Sequence, residues 1–364
     1  MKTSETLMDK LGGMSEMVDY DGETQHLRDL SARLGRNPLL VQASTGNTSV
    51  KAGDRLWIKA SGQWLIQAEA RDFLVGVSLR AAVESVWNGL DVPTSAVCWG
   101  DGAPSIETAM HAVLPHRVVL HVHSVNAIAW AVREDGPKEL GSRLRDIRWQ
   151  WIPYRASGIP LAKEIEAAVR ARPATDVFVL ANHGLVVCGE SCRAAENLLA
   201  EVEARIAITP RPQPEPRWPL PGESAPGMGW IRPDSGAVHA LALDPVSRKI
   251  TSEGVLYPCQ AIFLPDTVEA LRWFPRNPPA VRVIEGEGVL FHPDATRAQQ
   301  ELAWGLAETA QRIHSAAPLR YLTPTEVSEV RNGQVYQTSS GRDRSLAAKS
   351  SGYWPWIPGK SGFA

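Results

Sequence analysis

Between Thr209 and Pro226 the chain reads TPRPQPEPRWPLPGESAP, seven prolines in eighteen residues. Each proline fixes its own φ and removes a backbone donor, so neither a helix nor an interior strand runs through such a stretch. The segment reads as an extended linker. It cuts the 364 residues into a longer part of about 210 residues and a shorter one of about 140. The expected units are residues 1–208, the linker 209–226, a smaller α/β region over 227–336, and a tail over 337–364. The tail, QTSSGRDRSLAAKSSGYWPWIPGKSGFA, is rich in serine and glycine and poor in material for regular structure. Its YWPW cluster could still dock on a surface.

Composition narrows the class. Hydrophobic residues make up 44% and charged residues 21%, with a formal net charge of −2. That is an ordinary globular balance, without the basic excess expected of a partner for nucleic acid or a membrane surface. No apolar run approaches the ~18 residues that would span a bilayer. The opening MKTSETLMDKLGG has no apolar signal core, so the expected compartment is the cytoplasm. The four cysteines, Cys98, Cys188, Cys192 and Cys259, include no C-x-x-C pair and are expected to be small apolar core residues.

Hydrophobic spacing gives the elements. Residues 22–35 carry a helical period that ends at Gly35. PLLVQ (38–42) reads as a strand, TGNTS (45–49) as a turn, and VKAGDRLWIKA as a hairpin about Gly53-Asp54. PSIETAMHAVL (104–114) reads as a helix opened by proline and a serine cap. RVVLHVHS is a strand, and DVFVLANHGLVVCG is a strand pair broken at Asn182-His183-Gly184. SCRAAENLLAEVEARIAI is a helix of at least four turns. Residues 285–305, EGEGVLFHPDATRAQQELAWG, echo residues 181–201, ANHGLVVCGESCRAAENLLAE. Both run strand, turn, helix, through a diverged duplication or through a shared habit of that motif. In the echo Glu287 stands where His183 stands in the first copy, and no H-x-H occurs after the linker.

The chemistry gathers in the first part. In LHVHS (120–124), His121 and His123 alternate along a strand and so share a face, which suits two ligands of one zinc-like ion. A catalytic zinc usually takes three protein ligands and keeps one open position. His183, at a turn before a glycine, is the third candidate. Glu107 is the candidate carboxylate, able to coordinate a cation or to act as a base. The glycine turns at TGNTS and KASG (59–62) can present backbone N–H groups to an anion. No Walker pattern and no G-x-G-x-x-G occurs, which disfavours a nucleotide fold. His111, four residues after Glu107, is read as a packing residue. His116 is read as a surface residue.

The ordered set G-N-x-S, S-G, P-S-x-E, H-x-H and N-H-G resembles the class II aldolase/adducin family. The resemblance covers about residues 25–206. GNTSVK, LWIKASGQWL and PSIET look closest to the aldolase domain of bifunctional rhamnulose phosphate aldolase/alcohol dehydrogenase proteins, whose dehydrogenase half has no counterpart in these residues. It implies a three-layer αβα fold around a mainly antiparallel sheet, followed here by the smaller α/β region as a candidate degenerate repeat. It implies a zinc ion on His121, His123 and His183, with Mn2+, Co2+ or Fe2+ as other fitting metals. Glu107 would be the catalytic acid/base and a resting-state ligand. Gly46, Asn47, Ser61, Gly62 and Ser105 would bind the substrate phosphate.

The implied reaction is retro-aldol cleavage of a small ketose or its phosphate through a metal-stabilised enediolate. Epimerase, dehydratase and decarboxylase chemistry use the same kind of site, and adducin-like heads keep the fold as a scaffold without the histidines. A homo-oligomer, a tetramer by resemblance, is implied as well, with a tyrosine proton donor from a neighbouring chain that no residue here is assigned to. One departure stands out. The family often has two serines before the glutamate, and here the second is Ile106, which removes one phosphate donor and leaves the phosphorylation state of the substrate open.

Overall fold

The computed structural model describes residues 20–69, 73–212, 215–216, 229–233, 235–264, 279–314 and 316–338. The tail beyond 338 and most of the proline-rich segment, 213–214 and 217–226, lie outside the described residues. Residues 207–212 of its approach carry no regular structure.

The first part holds helix α1 (Tyr20–Gly35), strands β1 (Asn47–Ala52), β2 (Arg55–Lys59) and β3 (Leu74–Ser78), and helix α2 (Leu79–Asn88). Strand β4 (Val97–Trp99), helix α3 (Thr108–Val113), strand β5 (Val118–Val122), and helices α4 (Val125–Ala131) and α5 (Gly136–Arg143) follow. Strand β6 (Trp149–Ile152), helix α6 (Ile159–Ala171), strands β7 (Val177–Leu180) and β8 (Gly184–Gly189), and helix α7 (Cys192–Ile206) complete it. The eight strands form one sheet in the order β4-β3-β2-β1-β5-β8-β7-β6. Every neighbouring pair is antiparallel except β6 with β7.

Alternation along β5 makes the layers. Val118, Leu120 and Val122 face one side, where Leu27, Leu30 and Leu34 of α1, Trp130 of α4 and Leu199 and Val202 of α7 cover them. Val119 faces the other side and meets Met110 of α3 and Ile165 of α6. Helices on both faces of a mainly antiparallel sheet are the expected three-layer αβα arrangement. Fully burying a side chain such as Leu120 contributes about 1.5–3 kcal/mol. His121, equally buried in the same strand, gains nothing of that kind and has to be held by polar partners.

The expected β1–β2 hairpin is present. Ala52 pairs with Arg55, leaving Gly53-Asp54 as a two-residue turn with Gly53 at φ +57°, the left-handed geometry that matches strand twist. Four local expectations are corrected. TGNTS is not a turn throughout, because Asn47, Thr48 and Ser49 are the first residues of β1 and pair with β5. PLLVQ is a turn rather than a strand, because the amides of Leu40 and Val41 bond back to the Asn37 carbonyl. The helix expected from 104 begins only at Thr108, since the Ser105 carbonyl accepts from the Thr108 amide and closes a separate turn first. His116 is buried, not on the surface, with Nε2 3.1 Å from Asp176. Of the cysteines, Cys188 and Cys259 are buried as expected, whereas Cys98 is exposed; all four are free thiols.

The second part contains helices α8 (Ala240–Leu243), α9 (Pro245–Ser252) and α10 (Pro258–Phe263), a two-stranded hairpin of β9 (Val281–Ile284) and β10 (Gly288–Phe291), then α11 (Arg297–Gln311) and α12 (Pro324–Thr338). Its core is continuous with the first part: Leu302 and Leu306 of α11 pack with Ile128 and Val132, in and just after α4. The sequence echo reaches local geometry. β7–β8 and β9–β10 each close by a three-residue turn whose middle residue is left-handed, Asn182 at φ +52° and Gly286 at φ +73°. No helix among the described residues is long and apolar enough to cross a membrane.

Candidate metal centre

Sheet register brings the first polar residues together. Asn47 at the start of β1 lies opposite His121 in β5. On the other side of β5, Val122 lies opposite Leu185 of β8. His121 is therefore one residue short of the strand's end and His123 one residue past it. His183 closes the β7–β8 turn beside them, and Glu107 enters from the N-cap position of α3. All four are buried.

The three imidazoles each offer a nitrogen, and these atoms lie within 4.8 Å of one another. Nε2 of His121 and Nε2 of His123 are 3.1 Å apart. Glu107 Oε1 is 3.4 Å from His121 Nε2 and 3.2 Å from His183 Nε2. Tetrahedral nitrogens about 2.0–2.1 Å from a zinc stand about 3.3 Å from each other, close to the spacing found.

Tautomers sharpen the fit. His121 Nδ1 sits 3.1 Å from the Leu185 carbonyl, which can only accept, so Nδ1 carries the proton and Nε2 presents a lone pair inward. That lone pair meets a second ring nitrogen and a carboxylate oxygen, an electron-rich cluster that a cation would neutralise. Burial, with the neighbouring His121 and His183 imidazoles adding to it, pushes His123 well below its ordinary value. Burial lowers His183 too, against the opposing pull of Glu107. Neutral imidazoles are the ligating form. The donor set thus fits a divalent metal on His121, His123 and His183.

Glu107 is held on both oxygens. Asn47 Nδ2 donates to Oε2 at 2.5 Å, and Ser157 Oγ donates to Oε1 at 3.4 Å. Burial alone would raise its carboxyl, but the His121 and His183 imidazoles hold it well below the usual carboxylate range. Lys59, also buried, donates from Nζ to the Ser44 carbonyl at 2.5 Å and the Gln63 carbonyl at 2.9 Å. It ties the turn before Gly46 to the turn containing Ser61 and Gly62. Burial brings Lys59 down to about 8, with Glu107 opposing that shift.

The residues expected to bind phosphate are placed as follows. Gly46 is buried at φ +69° against the His121 carbonyl. Asn47 is buried and committed through its side chain to Glu107. The Ser61-Gly62 and Ser105 turns are stitched together by an Ala60–Pro104 bridge, and the Ser61 amide donates to the Ala103 carbonyl at 2.9 Å. That amide is therefore engaged within the fold. Gly62 is exposed and Ser105 partly so, with Ser105 Oγ accepting from the Glu107 amide at 3.3 Å.

Gly184 is required by close approach. A Cβ there would lie 2.6 Å from the Val122 carbonyl oxygen, 3.4 Å from His121 Cε1 and 3.5 Å from His123 Cδ2. Residues that sequence reasoning missed come from both parts. Lys59 lies inside a quoted motif but read as ordinary strand. Ser157 and Cys259 had no motif at all. Cys259, from α10, places Sγ 3.3 Å from His123 Nδ1. Asn182 donates from Nδ2 to the Leu256 carbonyl at 2.9 Å and the Arg320 carbonyl at 2.7 Å. Glu301 of α11 accepts from the Ala43 amide at 2.7 Å.

With that geometry in view, the lineage is plain: the model of the Class II Aldolase and Adducin N-terminal domain matches residues 25–209, and the chain belongs to that family. It is 30% identical over 174 residues to the protein named Uncharacterized oxidoreductase YuxG of Bacillus subtilis (strain 168), across 43% of this chain and 25% of that protein. The match thus spans about a quarter of that curated relative's length. Among solved structures, the N-terminal class II aldolase domain of a conserved protein from Thermoplasma acidophilum is 24% identical. Its TM-score is 0.46, with 53% of this chain and 96% of that one covered. An L-fuculose 1-phosphate aldolase is 20% identical at a TM-score of 0.40, with 53% and 86% covered.

Proposed function

We propose that the protein is a metal-dependent, aldolase-type carbon–carbon lyase acting on a small ketose or its phosphate, and that zinc is its metal. The observation that carries this reading is the convergence of three buried imidazoles with one buried carboxylate at 3.1–3.4 Å. His121, His123 and His183 would hold the cation. Once bound, that cation supplies a Lewis acid to the substrate carbonyl. Family membership favours the same reading.

The chain's own residues do the rest. Glu107 is the proton carrier: ionised in its pocket, it removes a proton from the carbon next to the carbonyl in the condensing direction and returns one after cleavage. Asn47 and Ser157 aim its two oxygens. The Gly46-Asn47 entry to β1 and the turns at Ser61-Gly62 and Ser105 would receive the far end of the substrate. Ile106, 36% exposed where the family often carries a second serine, weakens the grip on a phosphate and brings unphosphorylated ketoses into range. The working form is a homo-oligomer.

The test is a panel of ketoses and ketose 1-phosphates scored for aldehyde release, together with metal analysis of the purified protein. The expected result is about one zinc or similar ion per chain, released aldehyde, and loss of both in His121→Ala. An epimerase would interconvert sugars without releasing aldehyde. Metal content near zero that is unchanged by the substitution would leave an adducin-like scaffold.

A further inference from the structure

The family domain ends at 209, yet one of the three imidazoles is fastened from beyond it. We infer that the region after the linker is a working part of the metal site, with Cys259 the positioning residue that sets the tautomer of His123. The inference rests on the reading of the histidine cluster as a metal centre.

The geometry carries it. His123 Nε2 points at His121 Nε2, 3.1 Å away, so the opposite ring nitrogen, Nδ1, is the one free to be oriented. Its partner is Cys259 Sγ at 3.3 Å, 136 positions away in the chain. For His123 to present a lone pair inward, Nδ1 must keep the proton and donate it to sulfur. His121 is fixed in the same sense by the Leu185 carbonyl. In many metal sites the group behind a ligating imidazole sets ring orientation and basicity, and its loss weakens metal binding about 10–100-fold.

Cys259 is not placed there by chance packing of a loose segment. Its helix opens after Leu256, whose carbonyl accepts from Asn182 and whose amide donates to Gln260 Oε1 at 2.8 Å. Arg320 Nη1 donates to Asn182 Oδ1 at 3.0 Å. Asn182 immediately precedes His183. The second region therefore grips the site at two points, behind His123 and beside His183.

The experiment measures zinc affinity by chelator competition, and apo-protein melting, for the full chain and for Cys259→Ala and Cys259→Ser. Alanine should weaken zinc binding about tenfold or more, with serine recovering most of it because its oxygen still accepts from Nδ1. Unchanged affinity in alanine overturns the inference. So does an equal loss in alanine and serine that tracks a fall in apo melting temperature, since that is packing. Wild type that binds no zinc removes the metal reading itself and this inference with it. Should the variants fail to fold, long-range 1H–15N spectra of the zinc-loaded wild-type imidazoles decide. His123 protonated on Nδ1 supports the assignment, and protonation on Nε2 overturns it.

Discussion

Asn47 and Glu107 meet through a 2.5 Å hydrogen bond while Asn47 faces His121 across β1 and β5. The first residue of one strand thus sets the aim of a carboxylate that sits before a helix 60 residues later. Replacing Asn47 by Ala leaves Glu107 Oε2 buried without its donor. The expected loss is about 1–3 kcal/mol of folding stability, read as a lower urea midpoint, with a drop in turnover of any active ketose. Stability equal to wild type would show that Glu107 is oriented by other contacts.

Glu107→Gln keeps the shape and the Asn47 neighbour but removes the base. Zinc content should stay above half of wild type, because three imidazoles remain. Turnover should fall about 10²–10⁴-fold, the usual scale for a lost acid/base group. Wild-type turnover in this variant would remove Glu107 from the proposed mechanism.

Stability should depend on pH through a residue outside the ligand set. Burial lowers His111 from its ordinary 6.5 to about 3, and its Nδ1 shares a 2.7 Å hydrogen bond with Ser49. Below pH 6.5 the unfolded chain takes a proton that the folded chain refuses. Stability is therefore lost as pH falls from 6.5 toward about 3, at up to about 1.4 kcal/mol per unit for each such group. Metal-free His111→Gln should show a visibly shallower fall in urea midpoint between pH 6.5 and 5. Parallel slopes for the two proteins would count against this.

Asn182 combines a left-handed backbone with hydrogen bonds to the second region, and two substitutions separate them. Asn182→Gly keeps the backbone free and loses the side chain, at about 1–3 kcal/mol. Asn182→Ala loses the same bonds and adds about 1 kcal/mol for placing a Cβ residue at φ +52°. The two melting temperatures should fall in that order. Equal values would mean that the turn relaxes.

Much of this was legible locally. The β1–β2 hairpin followed from Gly53-Asp54 between alternating runs. His121, His123, His183 and Glu107 could be singled out because each sits in a short motif whose order is informative. What was hidden depends on contacts far apart in sequence. PLLVQ has strand composition, but its amides are captured by Asn37. His116 lies beside a strand end and is buried by Asp176, 60 residues on. Cys259 reads as an apolar filler until α10 is seen behind His123. An isolated thiol carries no periodic signal, and neither does Lys59, whose role comes from two carbonyls in separate turns.

The glycine after His183 has a consequence for how tolerance at this site should be understood. A methyl group there would collide with the Val122 carbonyl before it touched either imidazole, so it would wedge β8 away from β5. Since His121 rides on one strand and His183 on the threshold of the other, the gap between those strands is the calliper of the ligand set. The missing side chain at position 184 is a dimension rather than a freedom. A substitution there would alter chemistry without touching a single reactive atom.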